Sequence, residues 1–196
     1  MNPKALIFDC DGTLVDSMPL HWRAWDIVCK RNGIEFSEKR HYDMGGVPSV
    51  KILQMLKDEQ GLDFDPAAVS RQKEEAYIPL IPEAKLIEPI ASIARTAQGT
   101  IPMAVATGGR IKYIRTLLES LSILDWFGAV VTADDVENHK PAPDTFLKAA
   151  ALLGVPAEEC RAYEDTDIGL QSIRAAGMEP VDVREIPGVL PPLMGS

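Results

Sequence analysis

The sequence has few cysteines, no long apolar run and no excess of positive charge. Its three cysteines, Cys10, Cys29 and Cys160, form no Cys-x-x-Cys pair, so neither a disulfide framework nor a structural zinc site is expected. No run approaches the ~20 apolar residues of a membrane span, and the first apolar run meets acidic residues too early for a signal peptide. We therefore predict a soluble, cytoplasmic protein with no membrane partner.

The charge balance is acidic. The chain carries 20 Lys and Arg residues against 29 Asp and Glu residues, a formal net charge of −9. Such a chain has no general attraction for nucleic acid or for an anionic membrane surface, so an anionic substrate would need a local cationic site. With 196 residues, of which 46% are hydrophobic, it can form one core domain with a sizeable insertion, and we expect a monomer.

Five short apolar runs are spread along the chain, four of them in its second part. They span residues 5–8, 101–106, 129–132, 160–163 and 180–183. Helical patterns lie between the later runs, and this alternation predicts an α/β fold with a Rossmann-like, doubly wound parallel sheet. The proline-containing stretch 186–196 is predicted to be weakly ordered.

From about Asp16 to Leu80, the pattern is helical throughout. Pro19, Ser49 and the pair Asp65-Pro66 mark the starts of three helices, because Ser and Asp favour the N-cap and proline suits the first helical turn. No strand-like alternation appears in this part of the sequence. We therefore assign residues 1–15 and 82–196 to the core domain and residues 16–81 to an inserted α-helical domain.

Two acids, Asp9 and Asp11, follow the first apolar run and precede Gly12-Thr13. Side chains two residues apart at the end of a strand point to the same side, and open α/β sheets bind ligands beyond the carboxyl ends of their strands. Two close carboxylates resist joint ionisation, so one can act as a nucleophile while the other holds a proton. The structural alternative is that both acids cap a turn after the strand.

The full string of four apolar residues followed by Asp-x-Asp-Gly-Thr resembles motif I of the haloacid dehalogenase-type phosphohydrolases. The other three motifs of that superfamily follow in order after predicted strands, and the resemblance extends to about Val183. The matching residues are Thr107 for motif II, Lys140 for motif III, and Glu164 with Asp165 for motif IV. The resemblance implies attack on phosphorus by Asp9, with Asp11 protonating the leaving alkoxide and then activating water.

The motif residues also suit phosphate chemistry. The segment Thr107-Gly108-Gly109-Arg110 ends a strand and starts a helix, so its hydroxyl and bare backbone N–H groups would form a nest for phosphate oxygens. Lys140 could neutralise both the phosphoryl group and the nucleophile. Arg110 could contact the substrate, or it could simply be an exposed residue at the start of the helix.

Hard oxygen ligands favour Mg²⁺ as the cofactor. The expected ligands are Asp9, Asp11, Glu164 and Asp165. Of the two motif IV acids, Asp165 is expected to be the direct ligand, and Glu164 a secondary one that could instead act from behind the ligands. Asp167 is assigned to the N-terminal region of the following helix.

The helical insertion resembles the small cap of the branch that contains β-phosphoglucomutase and sugar-phosphate phosphatases. Such a cap would close over the site and exclude water. The resemblance implies that His21 faces the active site, that Gly46 lies in a substrate-specificity loop over residues 44–49, and that Lys73 is the cap lysine. Alternatively, His21 packs against Trp25, one helical turn away.

The residues of the loop 44–49 distinguish a phosphatase from a mutase. The mutase has an arginine at the position of Ser49 to grip a second phosphate, and a short hydroxyl cannot replace a guanidinium. The loop is instead similar to that of phosphatases acting on fructose 1-phosphate. We predict a Mg²⁺-dependent phosphatase of small phosphorylated metabolites, with a β-phosphoglucomutase-type mutase as the alternative. A phosphonate hydrolase using Lys73, or a non-catalytic phosphometabolite-binding protein, stays open, whereas a dehalogenase would not need Asp11.

Overall fold

The computed structural model describes residues 2–189, which form two compact units. The first consists of residues 2–16 and 85–189, and the second is Ser17–Ala84. The sequence placed these divisions after residues 15 and 81. Most of the stretch predicted to be weakly ordered, residues 190–196, lies outside the described residues. Across the described part of the chain, no helix combines the length and hydropathy that crossing a membrane requires.

The first unit is built on a five-stranded parallel sheet. Its strands are β1 (Ala5–Phe8), β4 (Met103–Ala106), β5 (Ala129–Val131), β6 (Cys160–Glu164) and β7 (Glu179–Asp182), in the spatial order β5-β4-β1-β6-β7. Every neighbouring pair is parallel. All residues of β1 and β4 are buried, as is typical of continuous apolar strands covered on both faces. The predicted α/β fold is confirmed, and β1 is its central strand.

Four helices connect these strands, and two of them pack in one apolar cluster against the sheet. The helices are α5 (Glu88–Ala97), α6 (Ile111–Ser120), α7 (Asp144–Leu153) and α8 (Asp167–Ala175). Phe146 of α7 and Ile173 of α8 pack in one apolar cluster with residues of β1, β4 and β6. Because this cluster fixes α7 and α8 to the sheet, it also fixes the segments at their N-terminal ends.

A two-stranded antiparallel sheet joins the ends of the insertion, and the sequence did not predict it. Strand β2 (Val15–Asp16) pairs with β3 (Lys85–Leu86). Each strand has two residues, which is too short for a readable alternation.

Residues 17–84 form four α-helices, followed by a 3-10 helix over Ile78–Glu83. The α-helices are α1 (Met18–Asn32), α2 (Glu38–Asp43), α3 (Ser49–Gln60) and α4 (Pro66–Tyr77). Helices α1, α3 and α4 lie where Pro19, Ser49 and Asp65-Pro66 predicted them. The Asp65 carboxylate caps α4 by accepting the Ala67 N–H at 2.9 Å. The six-residue α2 was missed, since it is too short to show helical periodicity.

His41 of α2 lies in an aromatic cluster of the second unit. It is 5% exposed, and its Nε2 lies 3.2 Å from the carbonyl oxygen of Met18. The rings of Trp22, Phe36 and Tyr42 surround it. Burial lowers the pKa of the His41 imidazole to about 4, although the Met18 carbonyl opposes this shift.

Acid should therefore destabilise the protein through His41. Its pKa is lower in the folded state than in the unfolded chain, so its contribution to stability is complete above pH 6.5 and is lost as the pH falls towards 4. The loss amounts to about 3 kcal/mol. Urea unfolding at pH 7 and pH 4 should show a smaller pH effect in His41→Gln than in the wild type. The exposed His139→Gln should keep the wild-type difference, and equal differences in all three proteins would contradict this assignment.

Candidate active site

The candidate site lies at the carboxyl ends of the central strands, beginning with Asp9. This residue directly follows β1, is 6% exposed, and donates its N–H to the carbonyl of Tyr163 in β6 at 3.0 Å. The backbone hydrogen bond to the neighbouring strand holds the Asp9 carboxylate beside Glu164, which ends β6, and Asp165, which directly follows it. The topology thus brings together two motifs that are far apart in sequence.

The Lys140 ammonium bridges the acids of motifs I and IV. Its Nζ donates to Oδ1 of Asp9 at 2.6 Å and to Oε2 of Glu164 at 2.7 Å, and its side chain is only 7% exposed. Nζ also lies 4.8 Å from the ring centroid of Phe146. Burial alone would lower the pKa of this ammonium, but the charges of Asp9 and Glu164 outweigh it and raise the pKa. Lys140 is therefore held in its cationic form against Asp9.

Three carboxylates crowd around this single ammonium. Asp9, Glu164 and Asp165 each offer an oxygen within 4.8 Å of the others. Burial and the charge of Glu164 raise the pKa of Asp9 well above its usual range, while Lys140 opposes the shift. The same two causes raise the pKa of Asp165 to about 7. The cluster carries more negative charge than Lys140 can balance, and a set of hard oxygen donors with excess negative charge fits a divalent cation such as Mg²⁺.

The side chain of Glu164 is committed to contacts within the protein. Oε1 accepts the N–H of Asp165 at 3.1 Å, the N–H of Thr166 at 3.0 Å and the Thr166 hydroxyl at 2.8 Å, while Oε2 accepts from Lys140. Glu164 is 1% exposed. Because both carboxylate oxygens already accept hydrogen bonds from the protein, these contacts fit the expectation that Glu164 acts from behind the metal ligands.

Asp165 belongs to the carboxylate cluster, whereas Asp11 does not. Among the described residues, the group that could hold a metal consists of Asp9, Glu164 and Asp165, so the Asp11 carboxyl is not part of it. Asp11 is half-buried and forms an isolated bridge with Val15.

Two glycines make room for the acids. Gly12 has φ +85°, and a Cβ there would collide with the Asp165 carboxyl. Gly169, in the first turn of α8, approaches Glu164 so closely that a Cβ would collide with that carboxyl. Any larger residue at either position would displace a side chain of the cluster.

The motif II segment is organised differently from the prediction. Thr107 is buried, and its Oγ1 accepts the Gly109 N–H at 3.1 Å. The expectation of bare N–H groups is therefore wrong for Gly109. A Cβ at Gly109 would also collide with Ile114, whereas one at Gly108 would meet nothing within 4 Å. Gly108 thus borders open space beside Thr107.

Arg110 lies at the start of α6, where it contacts Asp134. Its Nε donates to Oδ1 of Asp134 at 3.1 Å, and the Ile111 N–H donates to Oδ2 at 3.0 Å. The Asp134 carboxylate therefore caps the helix and balances the guanidinium. Of the two alternatives for Arg110, these contacts favour the exposed position at the helix start.

The predicted cap residues are partly brought together within the second unit. Nδ1 of His21 lies 2.9 Å from Nζ of Lys73, which is 8% exposed, and the His21 ring stacks on Tyr77 at a centroid distance of 4.0 Å. Trp25 is buried beside them, with its ring 5.7 Å from the Lys73 Nζ. Gly46 lies apart, between α2 and α3, with φ +79°.

Comparison with known proteins identifies the family. The haloacid dehalogenase-like hydrolase family matches residues 3–177. The chain belongs to this family. Among curated relatives, this hydrolase is 40% identical over 179 residues to the fructose-1-phosphate phosphatase YqaB of Escherichia coli (strain K12), covering 91% of this chain and 95% of the relative. It is 29% identical to the β-phosphoglucomutase of Bacillus subtilis (strain 168) over 92% of this chain and 83% of that protein.

Among solved structures, this hydrolase resembles the β-phosphoglucomutase of Clostridium difficile. The TM-score is 0.80 at 25% identity, with 92% of this chain and 84% of that chain covered. Together with the family match, these findings confirm the predicted fold and the predicted enzyme class, a phosphatase of the haloacid dehalogenase type.

Some residues that shape the site of this hydrolase were not recognised from the sequence. The buried hydroxyl of Thr13 donates to Oδ1 of Asp165 at 2.8 Å, and Gly169 makes room for Glu164. Thr13 had a signal, since it is part of the Asp-x-Asp-Gly-Thr string. For Gly169, the sequence offered one indication: glycine is unfavourable inside a helix, so its presence there suggests a special role.

Proposed function

We propose that this protein is a Mg²⁺-dependent phosphatase that hydrolyses small sugar phosphates of the fructose 1-phosphate kind. The observation that carries the proposal is the buried Asp9 carboxylate, held by the cationic Lys140 at the end of the central strand. The likeness to a fructose-1-phosphate phosphatase over nearly its full length supports the substrate class. We place the reaction in the cytoplasm, since the three cysteines show no paired spacing.

Asp9 is the nucleophile in this proposal. Lys140 donates to Oδ1, which leaves Oδ2 to attack phosphorus. As the P–O bond to the sugar breaks, Asp11 gives its proton to the departing alkoxide. Asp11 then takes a proton from a water molecule, which attacks the aspartyl-phosphate and releases inorganic phosphate with Asp9 restored.

The remaining residues stabilise charge. Lys140 lies within reach of both the nucleophile and an incoming phosphoryl oxygen, and the Thr107 hydroxyl with the Gly108 backbone would bind the other phosphoryl oxygens. Asp9 and Asp165 would hold Mg²⁺, with Glu164 positioned behind them. When bound, the ion supplies positive charge that keeps Asp9 ionised and stabilises the transferring oxygens.

We assign recognition of the sugar to the helical unit Ser17–Ala84, acting as a cap. His21 and Lys73 carry a paired imidazole and amine that can bind hydroxyl or phosphate oxygens, and the loop with Gly46 would complete the selection. Ser49 disfavours the mutase, because it cannot grip a second phosphate as an arginine would.

A phosphate-release screen tests the function. Purified protein should release phosphate from fructose 1-phosphate and related hexose phosphates in the presence of Mg²⁺. EDTA should lower the rate at least about 100-fold, because the crowded carboxylates and transferring oxygens would lose their counter-charge, and added Mg²⁺ should restore it. β-Glucose 1-phosphate with a bisphosphate primer should give free phosphate. Formation of glucose 6-phosphate would favour the mutase, and binding without turnover across the panel would favour a non-catalytic protein.

A further inference from the structure

Helix α8 carries one buried hydroxyl on an otherwise apolar face. Its residues Leu170 and Ile173 belong to the main apolar cluster, as does Ala176 just after its end, whereas Ser172 is 0% exposed and polar. Burying a hydroxyl costs free energy unless it is hydrogen-bonded. The buried Ser172 hydroxyl therefore needs a hydrogen-bond partner, and replacing Ser172 with alanine would leave that partner without its donor.

That partner is the loop that carries Lys140. The Ser172 Oγ donates to the carbonyl oxygen of Ala142 at 2.6 Å. Helical serines commonly return to a carbonyl of their own helix, whereas this one bridges to another segment. The N–H of Ala142 donates to the carbonyl of His139 at 2.9 Å, which closes a turn around Lys140. Ser172 thus holds the end of the turn from which the Lys140 side chain extends.

The same helix also holds the other end of that side chain. Thr166, the N-cap of α8, donates its hydroxyl to Glu164, and Glu164 accepts the Lys140 ammonium. A lysine has four rotatable bonds and is a poor positioning device by itself, so its placement depends on fixing both the backbone and the ammonium. Helix α8 does both, through Ser172 at the backbone and Thr166 with Glu164 at Nζ.

We infer that Ser172 is a positioning residue that sets the place of Lys140 against Asp9 and the transferring phosphoryl group. The inference rests on the proposed function for its catalytic consequence. Loss of the Ser172 hydroxyl would free the Ala142 carbonyl and let the turn shift. A small misplacement of a charge-stabilising group slows the chemical step, but it leaves most substrate contacts intact.

The test compares Ser172→Ala with Ser120→Ala under Mg²⁺, with p-nitrophenyl phosphate and fructose 1-phosphate as substrates. Ser120 is the control because it also lies in a helix of the first unit but donates to its own helix, at the Leu117 carbonyl. Ser172→Ala should lower kcat about tenfold and leave KM within about twofold. Ser120→Ala should keep the wild-type kcat. A wild-type kcat in Ser172→Ala would overturn the inference.

A double-mutant cycle separates positioning of Lys140 from a general structural effect. In a Lys140→Ala background, Ser172→Ala should cause no further loss of kcat, since the group it positions is gone. A tenfold loss that persists in that background would overturn the inference. If the wild type releases no phosphate from either substrate, the proposed function fails. Crystal structures then decide: an Nζ to Asp9 distance beyond 3.5 Å in Ser172→Ala supports positioning, and an unchanged contact overturns it.

Discussion

The Asp9→Asn variant should hydrolyse phosphate esters at least about 10³-fold more slowly than the wild type. The amide cannot form the aspartyl-phosphate, whereas its size is close to that of the carboxylate, so the binding geometry is retained. The fold should not suffer. Because burial and Glu164 raise the pKa of Asp9, its ionised form is unfavourable in the folded state without a metal ion, and a neutral amide relieves that cost.

Two measurements check this expectation. Phosphate release under single-turnover conditions gives the rate, and urea unfolding in EDTA should give a midpoint no lower than that of the wild type. The matched control is Asp125→Asn, an exposed aspartate of the same unit, which should keep full activity. Wild-type turnover in Asp9→Asn would disprove the assignment of the nucleophile.

Gly169→Ala should damage both stability and activity, although alanine is the better helix former. The propensity gain of about 1 kcal/mol is outweighed, since the new Cβ would collide with the Glu164 carboxyl. Displacing Glu164 breaks a buried ion pair with Lys140 and three further hydrogen bonds, a loss of about 3 kcal/mol or more. Without Glu164, Lys140 is no longer fixed from both sides, and kcat should fall about 10–100-fold.

Urea unfolding and initial rates measure the two effects. Gln171→Ala, an exposed position in the same helix, is the control and should stay within about 0.5 kcal/mol of the wild type with unchanged kcat. A Gly169→Ala variant more stable than the wild type would contradict the close contact between α8 and the Glu164 carboxyl.

The sequence predicted the parts of the fold and site that depend on local pattern. Strand β1 and helix α4 could be placed because an apolar run and an Asp-Pro start are visible within a few residues. Asp9, Thr107 and Asp165 could be located because each directly follows a strand, and parallel strands end at one edge of the sheet. Lys140 lies in the loop beyond β5, and its place near Asp9 was expected from the family resemblance.

What the sequence could not provide depends on contacts between distant segments. Thr13 and Asp165 are 152 positions apart, and Ser172 and Ala142 are 30 apart. Neither pair has a local signature, since a threonine or a serine fits many surroundings equally well. The Gly109 N–H was expected to face phosphate, but the side chain of Thr107 competes for it. Which of several possible hydrogen-bond partners a group takes depends on the packing of the folded chain.

The antiparallel pair of β2 and β3 has a consequence for how this fold can vary. Val15 and Asp16 lie directly opposite Leu86 and Lys85, so the chain departs from the catalytic sheet and returns to it at adjoining points. The entropy of closing a loop grows only slowly with its length, and here the closure is already made by the strand pair. Helices can therefore be lengthened, shortened or exchanged between these points during evolution while every register of the five-stranded sheet stays the same.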